Sequence, residues 1–386
     1  MKLRKGAVMT TERNNDREVK ISVIMPVYNA GEYLCRAVED LMHQSFSDFE
    51  LICVNDGSTD DSYDILEEIE RRDSRLVLLS EKNFGPSVAR NKGLELARGK
   101  YVIFLDADDM FEPTLLEDLY NLAEREELDI AVTEFDIYND SQNKRVPSVD
   151  EPHAYIFDGE KVTSKNEHPE YILTSATGYV WNKMFRASFL QDKRLTFDPD
   201  LYVFEDVHFV CSAMATAERV AKIKGPRVHH RIYSEQSRAI LFRKYYGQVP
   251  VVYSKIREFL MQRGMYIPLK KCYLNLSAGR CFKIYHLLWN DGKERMWNML
   301  HSKYAEEMDW LGHEKESFES MEVYEFVANV VLYTYEEYQQ REEQGKIIDV
   351  EKLDKENLNK KVTEQQKISR RRALWNKITS LFGKKN

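Results

Sequence analysis

Between Ile21 and Asp106 the chain repeats one unit, a short unbroken apolar run followed by an amphipathic stretch. The runs are ISVIMPVY, FELICVN, LVLLS and YVIFLD, and the periodicity predicts helices over about 31–44, 60–72 and 87–98 between them. A run that is apolar at every position, instead of every second one, suits a strand covered on both faces. This predicts an α/β domain on a Rossmann-like, mostly parallel sheet with helices on both faces. A helix from Glu112 to about Arg125 and a strand at LDIAVTEFDIY should follow, and residues 139–168 turn polar, as a surface excursion would.

The 386 residues exceed what one small module needs, and 43% hydrophobic against 31% charged residues is the balance of a globular chain. Four regions are expected: a flexible N-terminus (1–19), the α/β domain (20–238), an α-helical C-terminal region (239–365) and a basic tail (366–386). A formal charge of −8 argues against nucleic acid as the main partner. No apolar stretch is long enough to cross a bilayer, and MKLRKGAVMTTERNNDREVK lacks the apolar core of a secretory signal, so a cytoplasmic location is expected. The five cysteines form no CxxC pair and read as reduced, mostly packed thiols.

In an open α/β sheet ligands bind beyond the carboxyl ends of the strands. The residues there are Pro26, Tyr28 and Asn29, then Asn55, Asp56, Gly57 and Ser58, then Asp106, Asp108 and Asp109. On an extended chain Asp106 and Asp108 would point the same way. Two such carboxylates about 4 Å apart repel by roughly 4 kcal/mol at an effective dielectric near 20, which a divalent cation would reverse. Oxygen ligands favour magnesium or manganese. The competing account is a solvated turn with helix-capping aspartates before Pro113. Gly57 suits a tight turn, and Ser58, Thr59 and Asp60 suit helix N-caps. Asp56 is either a turn residue or an acceptor for a uracil imide N–H. NFGPSVARNKG reads as a loop entering a helix, where Arg90 is either a ligand contact or a surface arginine.

Taken together and in this order, PVYN, NDGSTDDS, NFGPSVARNKG and DADD resemble family 2 glycosyltransferases, the inverting enzymes with the GT-A nucleotide-sugar-binding fold. The resemblance covers about residues 20–235. It implies that Pro26, Tyr28 and Asp56 line the nucleobase site, that Asn83 and Arg90 contribute to the nucleotide pocket, and that Asp106 faces the ribose or metal. Asp108 would hold manganese or magnesium on the pyrophosphate. FDPDLYVFEDVHF resembles the acceptor-side segment, with Asp206 as general base beside Glu205. Inversion in one displacement needs such a carboxylate opposite the leaving nucleoside diphosphate. The plainer account of both acids is a helix first turn, where the dipole favours them.

WNK resembles the segment bordering the acceptor cavity, making Trp181, Asn182 and Lys183 candidates for acceptor contact; a buried core tryptophan is the alternative. VHHRIYSEQS resembles the segment that closes over the diphosphate. There His229, His230 and Arg231 are candidates for metal or phosphate contact, His230 being the named metal ligand, with Ser234 and Ser237 as hydroxyl donors.

Residues 366–386 hold seven Lys or Arg and no acid. Leu374, Trp375, Ile378, Leu381 and Phe382 fall on one helical face, the composition of a helix lying on an anionic membrane. Docking on a partner protein is the competing account. The expected function is transfer of a sugar from a nucleotide donor, a UDP-sugar first, to a hydroxyl of a glycan or lipid-linked acceptor in cell-surface polysaccharide synthesis. A nucleotidyltransferase is the second reading, although PVYNAGEY lacks the basic phosphate loop it needs. A non-catalytic glycan-binding protein on the same fold is the third. The helical region 241–365 is read as shaping the acceptor site, holding a homodimer or supporting the tail.

Overall fold

The computed structural model describes residues 18–148, 153–157, 159–176, 178–233 and 243–344. The chain divides into two compact units at Ser237 and Arg238. Ser234, Ser237 and the basic tail lie outside the described residues.

In the first unit the strands are β1 Ile21–Val27, β2 Phe49–Asp56, β3 Leu76–Glu81, β4 Tyr101–Phe104, β5 Met110–Phe111, β6 Ile130–Asn139, β7 Lys144–Pro147, β8 Lys183–Arg186 and β9 Val220–Ile232. The helices are α1 Gly31–Met42, α2 Ser62–Arg72, α3 Pro86–Leu96, α4 Leu115–Arg125, α5 Ala187–Asp192 and α6 Glu205–Thr216. All nine strands form one mixed sheet ordered β3-β2-β1-β4-β8-β6-β9-β5, with β7 paired to β6. The first four run parallel; β8 is antiparallel to both neighbours, and β6 and β9 are parallel again.

The unbroken apolar runs are explained by two cores. Val23, Met25, Leu51 and Cys53 pack in one cluster with Leu34, Val38 and Leu41 of α1 and Leu115 and Leu119 of α4. The alternate positions Ile52 and Val54 pack with Ala89 of α3 in another. In α1 the buried residues are Leu34, Ala37, Val38 and Leu41, one helical stripe.

Proline is unusual in a central strand because it brings no N–H to the ladder. At Pro26 the omission is harmless. Ile24 turns its carbonyl toward β4, accepting from Leu105 N–H at 3.0 Å, so Pro26, two residues on, faces the same side. The β1–β4 ladder has already ended at Ile24 and Phe104. The sheet opens beyond that point, between the strand that begins the leftward order and the one that begins the rightward order, which is where α/β sheets bind ligands.

The second unit contains α7 Gln248–Gln262, α8 Tyr266–Leu287, α9 Asn290–Met299, α10 Met321–Leu332 and α11 Tyr335–Glu343. Buried Tyr273 donates to the Tyr253 carbonyl at 2.8 Å, and Trp310 Nε1–H donates to Ser277 Oγ at 3.1 Å, so large polar aromatics fill this core with their polar atoms satisfied. A capping box at Thr334 and Glu337 starts α11. All five cysteines are free, and four of them are buried. Among the described residues no helix is long and apolar enough to cross a membrane.

Candidate functional site

The motifs meet because each loop is tied to the next by side chains that take orphan backbone amides. Three successive amides after β1 are accepted by the loop after β2: Asn29 N–H by Ser58 Oγ at 3.1 Å, Ala30 N–H by Ser62 Oγ at 3.0 Å and Gly31 N–H by Asp60 Oδ2 at 3.0 Å. Asn29, at φ 50°, returns a bond by accepting from Thr59 N–H at 2.8 Å. The polar run after β2 was expected to cap its own helix. Asp61 is the N-cap of α2 without a side-chain bond. Asp60 serves both ends: its Oδ1 accepts from Ser62 N–H, the first amide of α2, at 3.1 Å, while its Oδ2 and Ser58 brace the neighbouring loop. Gly57 is at φ 74°, and a Cβ there would stand 2.8 Å from Asn83 N, so the position needs glycine twice over.

Asp56 continues the chain of loops. Its Oδ1 accepts from Phe84 N–H at 2.7 Å and its Oδ2 from Gly85 N–H at 2.8 Å, which fixes the loop between β3 and α3. Tyr28, just after β1, and Asn83 and Phe84, in the loop after β3, are exposed.

Arg90, buried on α3, joins the turn after β4 to α6. Its Nη1 donates to Glu205 Oε1 at 2.7 Å and its Nη2 to Asp106 Oδ1 at 2.9 Å. Burial disfavours its cation, but Asp106, Glu205 and Asp206 outweigh that and raise its pKa. The segment before α6 is held to α3 by Asn91, which donates to the Phe197 carbonyl at 2.8 Å and accepts from Phe197 N–H at 2.9 Å. Phe204, just ahead of Glu205, has a left-handed backbone at φ 60°. Such a conformation costs of order 1–3 kcal/mol and collects at functional sites.

Asp206 is half-buried in the first turn of α6, and its Oδ1 accepts from Val207 N–H at 2.8 Å. Burial first and Glu205 second push its carboxyl up to about 7, against the pull of Arg90; Asp106 adds a smaller upward push. That places it where a general base works best.

The DADD segment departs from the extended geometry expected of it. β4 stops at Phe104 and the chain turns through Ala107 and Asp108, Asp109 N–H reaching back to the Asp106 carbonyl at 3.4 Å. Strand alternation therefore does not set these side chains. Asp108 is pushed up to about 6 by burial, then by Asp109 and Asp106. Asp109 is almost fully buried; its Oδ1 accepts from Arg231 N–H at 2.9 Å and faces His230 Nδ1 at 3.0 Å, while its Oδ2 meets no hydrogen-bond partner among the described residues. Asp109 raises the His230 pKa against the opposing effect of burial, with Asp106 and Asp108 adding to it. Asp106 thus acts electrostatically on both Asp108 and Asp206.

His230 stacks on Trp181 at 4.8 Å, and Trp181 stacks on Tyr179 at 4.8 Å. The doubled histidine separates by strand alternation. His229 pairs with Asp136 at 2.7 Å and Glu112 at 2.8 Å, away from the aspartate turn. Trp181, Asn182 and Lys183 are closed to solvent: Asn182 Nδ2 donates to the Thr133 carbonyl at 3.0 Å, and Lys183 Nζ donates to the Tyr179 carbonyl at 2.6 Å and Asn182 Oδ1 at 2.7 Å. Arg231 Nε donates to the Asp108 carbonyl at 2.9 Å, and its guanidinium pairs with Asp140 and covers the Tyr33 ring.

Among the described residues no group of three or more His, Cys, Asp or Glu side chains is close enough to hold a metal by itself. The residues present nevertheless suit a cation shared with a substrate. Magnesium-type ions use one or two carboxylates and complete their shell with phosphates and water, and the unpartnered Asp109 Oδ2 beside Asp108 and His230 is a buried acceptor waiting for positive charge. Sequence reasoning placed Asp109 among the strand-end acids but gave it no role, because the two-residue spacing drew attention to Asp106 and Asp108. It left out Tyr233, whose hydroxyl donates to Asp108 Oδ2 at 3.1 Å and which had no pattern of its own.

A mixed sheet with its acids gathered at the strand-order reversal has the ligand-binding arrangement of α/β proteins, and comparison with known proteins gives the family. The model of glycosyl transferase family 2 matches residues 22–219, and the chain belongs to that family. It is 35% identical over 202 residues to the uncharacterized glycosyltransferase EpsJ of Bacillus subtilis, covering 52% of this chain and 57% of that one. It is 25% identical over 268 residues to the poly(ribitol-phosphate) beta-glucosyltransferase of Bacillus spizizenii, covering 67% of this chain and 40% of that one. The chain thus spans only part of the length of the curated relatives it matches. Among solved structures, S. aureus TarS 1-349 in complex with UDP-GlcNAc superposes with a TM-score of 0.61 at 20% identity, over 90% of this chain and 92% of that one. The fold is of the GT-A type.

Proposed function

We propose that this glycosyltransferase moves a sugar with inversion from a UDP-sugar to a hydroxyl of a glycan or lipid-linked acceptor in cell-surface polysaccharide synthesis. The observation that carries the reading is Arg90, which bonds Asp106 at 2.9 Å and Glu205, the neighbour of Asp206, at 2.7 Å, so that the acids after β4 and those opening α6 share one neighbourhood. A UDP-sugar donor is supported by the UDP-GlcNAc complex of the TarS neighbour, and a polymer acceptor by the poly(ribitol-phosphate) relative.

In this mechanism Pro26 and Tyr28 border the nucleobase, Asp56 shapes its pocket through the Phe84 and Gly85 amides, and Asn83 lies at its rim. Asp106, oriented by Arg90, faces the ribose. Asp108, with His230 beside it, would hold manganese or magnesium, which when bound supplies positive charge to the diphosphate. The acceptor oxygen attacks the anomeric carbon from the side opposite the diphosphate. Its proton passes to Asp206, a new carbon–oxygen bond forms, and the bond to the phosphate oxygen breaks with its electron pair leaving on the nucleoside diphosphate. Arg90 holds Glu205, and with it the start of α6 that carries Asp206. Trp181, Asn182 and Lys183 support the acceptor wall from behind, and Arg231 braces the aspartate turn. The basic tail, residues 366–386, attaches the protein to the cytoplasmic face of an anionic membrane, where a lipid-linked acceptor would be met.

The test is donor turnover in the full-length protein with a panel of nucleotide sugars. Hydrolysis or transfer should stop with a chelator and return with manganese or magnesium. Turnover that persists in the chelator removes the metal assignment, and a donor other than a UDP-sugar removes that choice.

A further inference from the structure

Asp108 does not stand open in the described structure. The Tyr233 hydroxyl donates to its Oδ2 at 3.1 Å. Tyr233 is 45% exposed and rests against Tyr33 with ring centroids 5.5 Å apart. Tyr33 is backed by the Arg231 guanidinium 4.6 Å from its centroid. Arg231 is itself immobilised: Asp109 accepts its backbone N–H, the Asp108 carbonyl accepts its Nε–H, and Asp140 takes its Nη1. Tyr233 therefore leans on a fixed wall and puts the positive end of its O–H dipole on the oxygen that a cation would seek.

Three aspartates gather in this turn, and in the absence of a cation their mutual repulsion falls partly on Asp108. A phenol O–H is a neutral donor that can relieve a carboxylate and then leave, since its exposed ring has solvent on the other side. A divalent ion on the same oxygen would bring full positive charge against the hydroxyl hydrogen, so the two compete.

We propose that Tyr233 is the stand-in for the cation: its hydroxyl occupies Asp108 in the metal-free protein and is exchanged for the divalent ion when donor and metal arrive. This rests on the assignment of Asp108 as a metal-holding residue. Tyr233 is then a positioning residue that sets the metal affinity of the site, and it costs the enzyme binding strength in return for a quiet resting state.

The experiment is a Mn2+ titration of the full-length protein, with and without UDP, read by the electron paramagnetic resonance signal of free Mn2+. A hydrogen bond to a charged group is worth enough that its removal should change an equilibrium about tenfold or more. Tyr233→Phe keeps the ring on Tyr33 and removes only the hydroxyl, so Mn2+ should bind it about tenfold more tightly than wild type. Tyr233→Ala should bind Mn2+ as tightly as Tyr233→Phe. Unchanged or weaker binding by Tyr233→Phe overturns the proposal, and tightening by Tyr233→Ala alone would assign the effect to the ring and overturn it as well. If Asp108→Asn binds Mn2+ as wild type does, the metal role of Asp108 fails and this inference with it. If Asp108→Asn loses Mn2+ while Tyr233→Phe matches wild type, only the role of Tyr233 fails.

Discussion

Replacing Asp206 by asparagine removes the proposed base while keeping its size, and the structure fixes two separable consequences. The first is kinetic. With the carboxyl pushed up to about 7, wild-type kcat/KM should rise about tenfold from pH 6 to pH 8 as the base loses its proton, and Asp206→Asn should lose about 10²–10⁴-fold together with that limb. The second is a stability effect of opposite sign. The folded pKa lies above the ordinary value of 3.8, so the native state binds the proton more tightly than the unfolded chain. The stability this confers is complete below about pH 4 and is lost as pH rises through 7. At about 1.4 kcal/mol per pKa unit the loss between pH 5 and pH 8 is at most about 3 kcal/mol, and about 1–2 kcal/mol once solvent at the open edge of Asp206 is allowed for. Asparagine has no such penalty. The melting temperature of Asp206→Asn relative to wild type should therefore climb by several degrees between pH 5 and pH 8. Turnover assays across this range, paired with thermal melts of both proteins, check it. A lost activity with a melting difference that does not move with pH would mean that Asp206 does not sit at a raised pKa, and a retained activity would mean that another group is the base.

Gly57→Ala forces a left-handed alanine, at about 1–2 kcal/mol, onto a Cβ position 2.8 Å from Asn83 N; melting should fall by several degrees and UDP binding, followed by calorimetry, should weaken. Arg90→Ala leaves Glu205 buried without its partner and should cost about 3–5 kcal/mol in urea unfolding. Because Arg90 lowers the Asp206 pKa, the activity limb of any folded Arg90→Ala protein should also move to higher pH; an unmoved limb would separate the two residues. Truncation after residue 365 should abolish sedimentation with anionic vesicles while leaving transfer to a soluble acceptor intact, and unchanged sedimentation removes the tail from membrane attachment.

The strands and helices of residues 20–125 were legible because both faces of the sheet are covered, which makes every strand an unbroken apolar run. The motifs could be ordered on that sheet for the same reason. Side-chain partners were less accessible. The polar residues after β2 read as caps of the next helix, which Asp60 Oδ1 in part is, and only the fold reveals that this run also takes the amides of the loop at Asn29–Gly31. The aspartate turn was misjudged as extended because the strand period was carried four residues beyond Phe104, to Asp108, although β4 had ended. The single-period pattern could not assign His229 and His230 to faces until β9 had its register against β6, which sets His229 opposite Asp136. Arg90 looked like a surface residue from its helix alone; its partners lie 16 and 115 residues away, a separation that no local pattern reports.

The claim beneath all of this is that the aspartates after β4 and the acid pair opening α6 face one donor-filled pocket. A crystal structure of the protein grown with UDP and Mn2+ tests it most directly. The account predicts the uracil beside Tyr28 and Asp56, the ion between Asp108 and the diphosphate, and Asp206 facing the space beyond the terminal phosphate. A nucleotide seated elsewhere, or an ion that leaves Asp108 untouched with Asp206 turned away from it, would contradict it.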